Sequence, residues 1–211
     1  MIDVVEAGFA PTLIPYLEGW ELQKRIHSEV VRGERPETLI LLEHESVFTA
    51  GSRTLDSERP AHSSIPVIDV DRGGKITWHG PGQLIGYPIM RVAERGDAVT
   101  LVRRIETLLI GVAEDLGIEA TRIRGRSGVW TPDGAAKIAA IGMRVEKGVT
   151  MHGFALNCAG SLAAYDDIVA CGITDAGVTT LSLLSGREIS PAQVKDAVSG
   201  AFRNEMERIP A

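Results

Sequence analysis

One stretch constrains this chain more than any other: Arg72-Gly-Gly-Lys-Ile-Thr-Trp-His-Gly-Pro-Gly-Gln83, with Tyr87 shortly after it. Glycines at this density let backbone approach a ligand closely and take torsions that side-chained residues resist. Arg72, His79, Gln83 and Tyr87 supply polar groups around that approach. The flanks, residues 66–70 and 84–89, are apolar and β-branched and predict strands. The run therefore sits on sheet edges and turns, where scaffolds commonly hold sites. Two ordinary hairpin turns would not need Arg, His, Gln and Tyr as well.

A chain of 211 residues fits one domain, 1–211, large enough to bury a proper core. No apolar stretch approaches the length of a membrane helix. The start, Met1-Ile-Asp-Val-Val-Glu6, lacks the basic region of a secretory signal, so a cytoplasmic protein without a membrane partner is expected. Two cysteines are too few for a disulfide framework. A net charge of −6 argues against a nucleic-acid partner. Residues 122–147 are locally basic, and Arg122, Arg124 and Arg126 alternate, so in one strand they would share a face. That face would either meet an acidic protein or stand in solvent.

Periodicity predicts a helix over 11–31, with Leu13, Tyr16, Leu17 and Trp20 at helical spacing and Gly33 at its end. Thr38–Leu42 predicts a core strand. Asp97 caps a second helix whose inward stripe is Leu101, Ile105, Leu108, Val112 and Leu116, closed by Gly117. Strands follow at 127–131, 136–145 and 149–157, separated by turns at 132–134 and 146–148. Ser190-Pro191 opens a last helix with the stripe Val194, Val198, Phe202 and Met206. Hairpins mixed with helices, without strict βαβ alternation, predict an α+β fold with antiparallel or mixed sheet.

Two residues stand out for chemistry. Cys171 precedes Gly172, which permits tight backbone geometry, and the stretch 174–184 could start a helix whose N-terminal field favours a thiolate. Lys137 sits in Ala136-Lys-Ile-Ala-Ala-Ile-Gly142, an otherwise apolar strand, where an ammonium removed from water becomes able to exchange a proton. An inert core cysteine and an edge lysine reaching solvent are the plainer alternatives. Cys158 reads as core. His44, His79 and His152 occupy strand ends without metal-ligand spacing, so no metal is expected.

The glycine-rich run resembles the octanoyltransferases of lipoate biosynthesis, whose pattern R-G-G-x-x-T-x-H-G-P-G-Q-x-x-x-Y is matched at Arg72, Gly73, Gly74, Thr77, His79, Gly80, Pro81, Gly82, Gln83 and Tyr87. The family's later blocks match at Lys137-Ile-Ala-Ala-Ile-Gly142, His152-Gly-Phe-Ala-Leu-Asn157 and Ala170-Cys-Gly-Ile173, with Ala170 in place of the usual proline. Lipoate and biotin ligases carry a related glycine-rich segment lining an acyl pocket.

The resemblance implies a biotin/lipoate ligase-like fold. It implies transfer of octanoyl from acyl carrier protein to a lysine of a lipoyl domain or glycine-cleavage H protein, with Cys171 as acyl carrier, Lys137 as its partner and no cofactor. It also implies a substrate slot formed by Arg72, Gly73, Gly74, Thr77, His79, Gly80, Gln83, Tyr87, Ile141, Gly142, His152, Gly153 and Ala155. An ATP-dependent ligase and a non-catalytic acyl-binding protein are the competing readings. Cys171 together with Lys137 in matching blocks separates the transferase from the ligase, and retained function in Cys171→Ala would favour the non-catalytic reading.

Overall fold

The computed structural model describes residues 2–92, 97–169, 172 and 175–207, the side chains of 97, 206 and 207 excepted. The expected cap Asp97 and the stripe residue Met206 fall on those side chains, and Cys171 lies outside the described residues. In chain order the strands are β1 (Asp3–Gly8), β2 (Thr38–Leu42), β3 (Val47–Ala50), β4 (Val67–Asp69), β5 (Thr77–His79), β6 (Gln83–Ile89), β7 (Thr121–Ile123), β8 (Arg126–Trp130), β9 (Ala136–Glu146), β10 (Val149–Asn157) and β11 (Gly177–Val178). The helices are α1 (Tyr16–Arg32), α2 (Asp97–Asp115), α3 (Leu181–Ser185) and α4 (Pro191–Glu207).

The main sheet runs β1-β2-β6-β10-β9-β8-β7, with β11 paired in parallel on β9. Only β1–β2 is parallel along the rest of that path. A smaller sheet, β4-β3-β5, pairs β3 parallel to β4 and antiparallel to β5. This is the mixed α+β architecture that the pattern of hairpins and helices predicts.

Both faces of the main sheet are covered. On one, Ile105, Leu109, Val112, Val198 and Phe202 from α2 and α4 pack on Leu84, Ile138, Phe154 and Leu156. On the other, Ile26 and Val30 of α1 pack on Ile40, Leu42, Ile85, Ile89 and Val149. β2 and β6 are therefore buried on both sides, which is why they read as apolar runs rather than alternating ones. The β9–β10 hairpin turns through Lys147 and Gly148, both at positive φ (51° and 73°), the backbone twist that two-residue hairpin loops require.

Two local expectations are corrected. The first helix begins at Tyr16, not at Pro11. Pro15 pushes Ile14 into extended conformation, and Ile14 instead bridges to His44. Its buried face is Tyr16, Gly19, Gln23, Ile26, His27 and Val30, and Leu17 is exposed. Strands β1, β3, β5 and β11 carry no run long enough to announce themselves. β5 lies inside the glycine-rich stretch, between its two turns.

Candidate active site

The glycine-rich stretch folds as strand β5 held between glycine turns. Thr77, Trp78 and His79 pair with Thr49, Phe48 and Val47 of β3. Gly80 has no room for a side chain: a Cβ there would lie 2.1 Å from the Trp78 indole, which folds back across the turn. Glu43 fixes the next turn, accepting hydrogen bonds from Gly82 N (3.0 Å) and Ala10 N (3.2 Å). Glu43 falls in Leu42-Glu-His-Glu45, which resembles a further block of the family, but its role as a buried turn-fixing acceptor is visible only in the fold.

A cavity of about 300 Å³ opens against this stretch. Arg72, Gly73, Gly74, Thr77, His79 and Tyr87 line it from the motif and β6. Lys137, Ile141, Gly142, His152, Gly153 and Ala155 line it from β9 and β10. Two residues of the expected slot stand behind it instead. Gly80 makes the turn, and Gln83 is a buried strut reaching Asn157 Oδ1 and Tyr165 Oη, each at 2.9 Å. Tyr16, Arg53, Lys75 and Arg126 also line the cavity, and the sequence did not mark them as site residues.

The polar groups around the cavity satisfy one another. Arg72 Nη2 donates to Thr49 O (2.7 Å) and Oγ1 (2.9 Å), and Nη1 to Lys75 O (2.9 Å). The Thr49 hydroxyl in turn donates to His79 Nε2 at 3.2 Å. Gln83 uses its amide nitrogen on Asn157 and Tyr165, so its Oε1 accepts from His79 Nδ1 at 3.3 Å. This assigns the Nδ1–H tautomer to His79. Burial, with His44 and Arg72 nearby, drives its pKa well below the usual histidine value, so it is neutral. His44 donates from Nδ1 to Ile14 O (2.8 Å) and accepts at Nε2 from the Tyr87 hydroxyl (2.7 Å). Burial lowers its pKa to about 4, while the Ile14 carbonyl opposes the shift.

His152 is built differently. It holds φ = 58°, a conformation uncommon for a side-chained residue. Its backbone N donates to Gln23 Oε1 at 2.9 Å. Its Nε2 lies 2.7 Å from Asp71 Oδ1, and Asp71 also pairs with Arg144. Burial lowers the His152 pKa despite the carboxylate, whereas for Asp71 the pairing with His152 and Arg144 outweighs burial and lowers its pKa. One donor is left over in the wall: Thr77 Oγ1 is buried without a hydrogen-bond partner among the described residues.

Lys137 is 7% exposed, and its Nζ sits 4.7 Å from the centroid of the Trp130 ring. Among the described residues no carboxylate lies within ion-pairing distance of it. Gly172, which follows Cys171 in the chain, has φ = 66° and rests on the Lys75 side chain, where a Cβ would lie 2.3 Å from Lys75 Cδ. Lys75 itself pairs with Glu58. Cys158, by contrast, is fully buried, and burial pushes its thiol up to about 12.

The arginines expected to share one strand face do not. Gly125, at φ = 83°, turns the chain between β7 and β8, so Ile123 pairs with Arg126 and the alternation breaks. Arg122 is bound to the fully buried Glu106 at 3.1 Å, and Arg126 to Asp175. Arg124 alone of the three is without a hydrogen bond or ion pair among the described residues.

Comparison with known proteins fits this geometry. The lipoyl protein ligase A/B catalytic domain matches residues 15–203. An octanoyltransferase from Leifsonia xyli subsp. xyli is 54% identical over 99% of this chain and 94% of its own length. One from Salinispora tropica is 53% identical over 93% of this chain and 91% of its own. The chain belongs to the octanoyltransferase family. Octanoyltransferases are acyltransferases, and this one shares its fold with ligases. A bipartite lipoate protein ligase from Thermoplasma acidophilum superposes with a TM-score of 0.73 at 14% identity, covering 98% of this chain and 85% of that one. A lipoate-protein ligase A bound with ATP gives 0.72 at 14% identity, with coverage of 98% and 85%. Biotin protein ligase from Aquifex aeolicus gives 0.53 at 12% identity, covering 98% and 68%. No helix among the described residues of the octanoyltransferase is long and apolar enough to cross a membrane.

Proposed function

We propose that this octanoyltransferase moves an octanoyl group from acyl carrier protein to a lysine of a lipoyl domain or glycine-cleavage H protein, through a thioester on Cys171. The observation that carries the reading is Lys137: an ammonium lining an acyl-sized cavity from a buried strand, with no carboxylate partner among the described residues. Such a cation suits a thiolate, whose charge it offsets and whose proton it handles.

In this reading the Cys171 sulfur attacks the donor thioester, and the carrier thiol leaves with the proton that Cys171 gave up, passed through Lys137. The acceptor lysine amine then attacks the Cys171 thioester, loses a proton and becomes an amide, and the Cys171 thiol is regenerated. The bond energy of the donor thioester drives the sequence, so no nucleotide is consumed. Arg72, His79, Tyr87 and His152 are already bonded within the wall, which suits a hydrocarbon chain lying against them.

The test is nucleotide dependence. Octanoylation of a lipoyl domain should proceed from octanoyl-acyl carrier protein with no ATP present. Transfer that requires ATP and accepts free octanoate would establish a ligase instead.

A further inference from the structure

Trp130 of β8 lies directly opposite Lys137 of β9 in the antiparallel register. It is fully buried, yet its indole Nε1 has no hydrogen-bond partner among the described residues. An unbonded buried N–H is costly, and an apolar side chain at this position would not carry that penalty. What tryptophan uniquely brings here is the strongest negative π face among the side chains. Two cations use that face: Lys137 Nζ at 4.7 Å and Arg126 Cζ at 5.5 Å from the ring centroid.

The surroundings keep this pairing in place. Gly128 lets β8 approach β9 closely beside the lysine stem: a Cβ there would clash with Ala139 O at 2.3 Å, and Lys137 Cε lies 3.6 Å from the same point. Glu106 Oε1 accepts from Gly128 N at 2.9 Å and pins β8 from the α2 side. The Lys137 carbonyl accepts from Thr179 N at 3.0 Å, so its backbone is held as well. The four-carbon stem is then the remaining freedom, and the indole is the group that orients it.

We infer that Trp130 is a positioning residue for Lys137, holding the ammonium by its π face at the cavity wall. A carboxylate in that place would accept the ammonium's hydrogens and offset its charge. The ring attracts the charge and takes up only the hydrogen turned toward it, leaving the others to face the cavity. The inference rests on the proposed role of Lys137 in acyl transfer.

The test measures single-turnover acylation of Cys171 by an octanoyl thioester, and its alkylation by iodoacetamide at fixed pH. Trp130→Phe and Trp130→Leu are compared in the Lys137 and the Lys137→Gln backgrounds. Fluorinated tryptophans placed site-specifically at 130 drain the ring's negative face while keeping its shape. The expected order is Trp, Phe, Leu, with Leu slower by about two- to thirtyfold, the range cation–π contacts span from exposed to desolvated. Rates should also fall stepwise with each added fluorine, and both trends should vanish in Lys137→Gln. A flat fluorine series in a Trp130 protein, or the same loss from Trp130→Phe with and without Lys137, overturns the inference. If the unaltered protein acylates Cys171 and Lys137→Gln reacts at the same rate, it is the role of Lys137 that fails.

Discussion

The Tyr87 hydroxyl and His44 Nε2 face each other across 2.7 Å, both buried, and each leaves the other no second partner among the described residues. Tyr87→Phe therefore leaves the His44 Nε2 acceptor, on a fully buried ring, without its partner. Thermal or urea unfolding should show a loss of about 1–3 kcal/mol. An unchanged midpoint would mean that the pair contributes nothing beyond shape.

The same pair sets a pH dependence. Buried His44 has its pKa lowered to about 4, below the value near 6.5 that an exposed histidine keeps on unfolding. Below pH 6.5 the unfolded chain binds a proton that the folded one refuses, so stability is full above that pH and declines toward pH 4. The span is worth roughly 3 kcal/mol, and His79 and His152, lowered for the same reason, act in the same direction. Urea midpoints measured from pH 7 to pH 5 should fall, and His44→Asn, which keeps a donor for Ile14 O, should fall less steeply. A parallel pH profile in the variant would contradict this.

Gly142 is the sharper probe of the slot. Gly74 has φ = 95°, so a side chain there strains the backbone, whereas a Cβ on Gly142 meets Arg72 Cδ and Gly73 O at 3.3 Å with ordinary torsions. Gly142→Ala should slow loading of octanoyl more than of butyryl, with melting temperature nearly unchanged. Equal effects on both chain lengths would place the hydrocarbon elsewhere.

Arg122 and Arg124 should behave oppositely. Arg122→Glu sets a second carboxylate against buried Glu106 and should lower the melting temperature by roughly 5–10 °C. Arg124→Glu should leave stability unchanged, and if this surface meets an acidic carrier it should slow use of the carrier-bound donor at low ionic strength only. Destabilisation by Arg124→Glu, or none by Arg122→Glu, would reverse the assignment.

The mixed-sheet α+β class, the long hairpin and the last helix were legible because apolar periodicity and turn residues agree over many residues, as in 136–157; the order of strands in the sheet was not. The start of α1 was not, because Pro15 and the Ile14–His44 bridge override a helical spacing that Leu17 only mimics. At the site, glycines, His79 and Lys137 were legible as residue types in a dense pattern. The struts were not legible as such: Glu43 and Trp130 fall in segments that resemble family blocks, Thr49 and Asp71 do not, and only folding shows which groups any of the four touches. The arginine alternation misled because a single glycine turn, Gly125, changes which face each side chain takes.

Cys171 as acyl carrier is tested most directly by intact-mass and peptide mass spectrometry after mixing with octanoyl-acyl carrier protein in the absence of acceptor. One octanoyl group should appear on the peptide containing Cys171, be removed by hydroxylamine, persist in Cys158→Ala and be absent in Cys171→Ala. Full transfer to a lipoyl domain by Cys171→Ala, with no adduct on the unaltered protein, would contradict it.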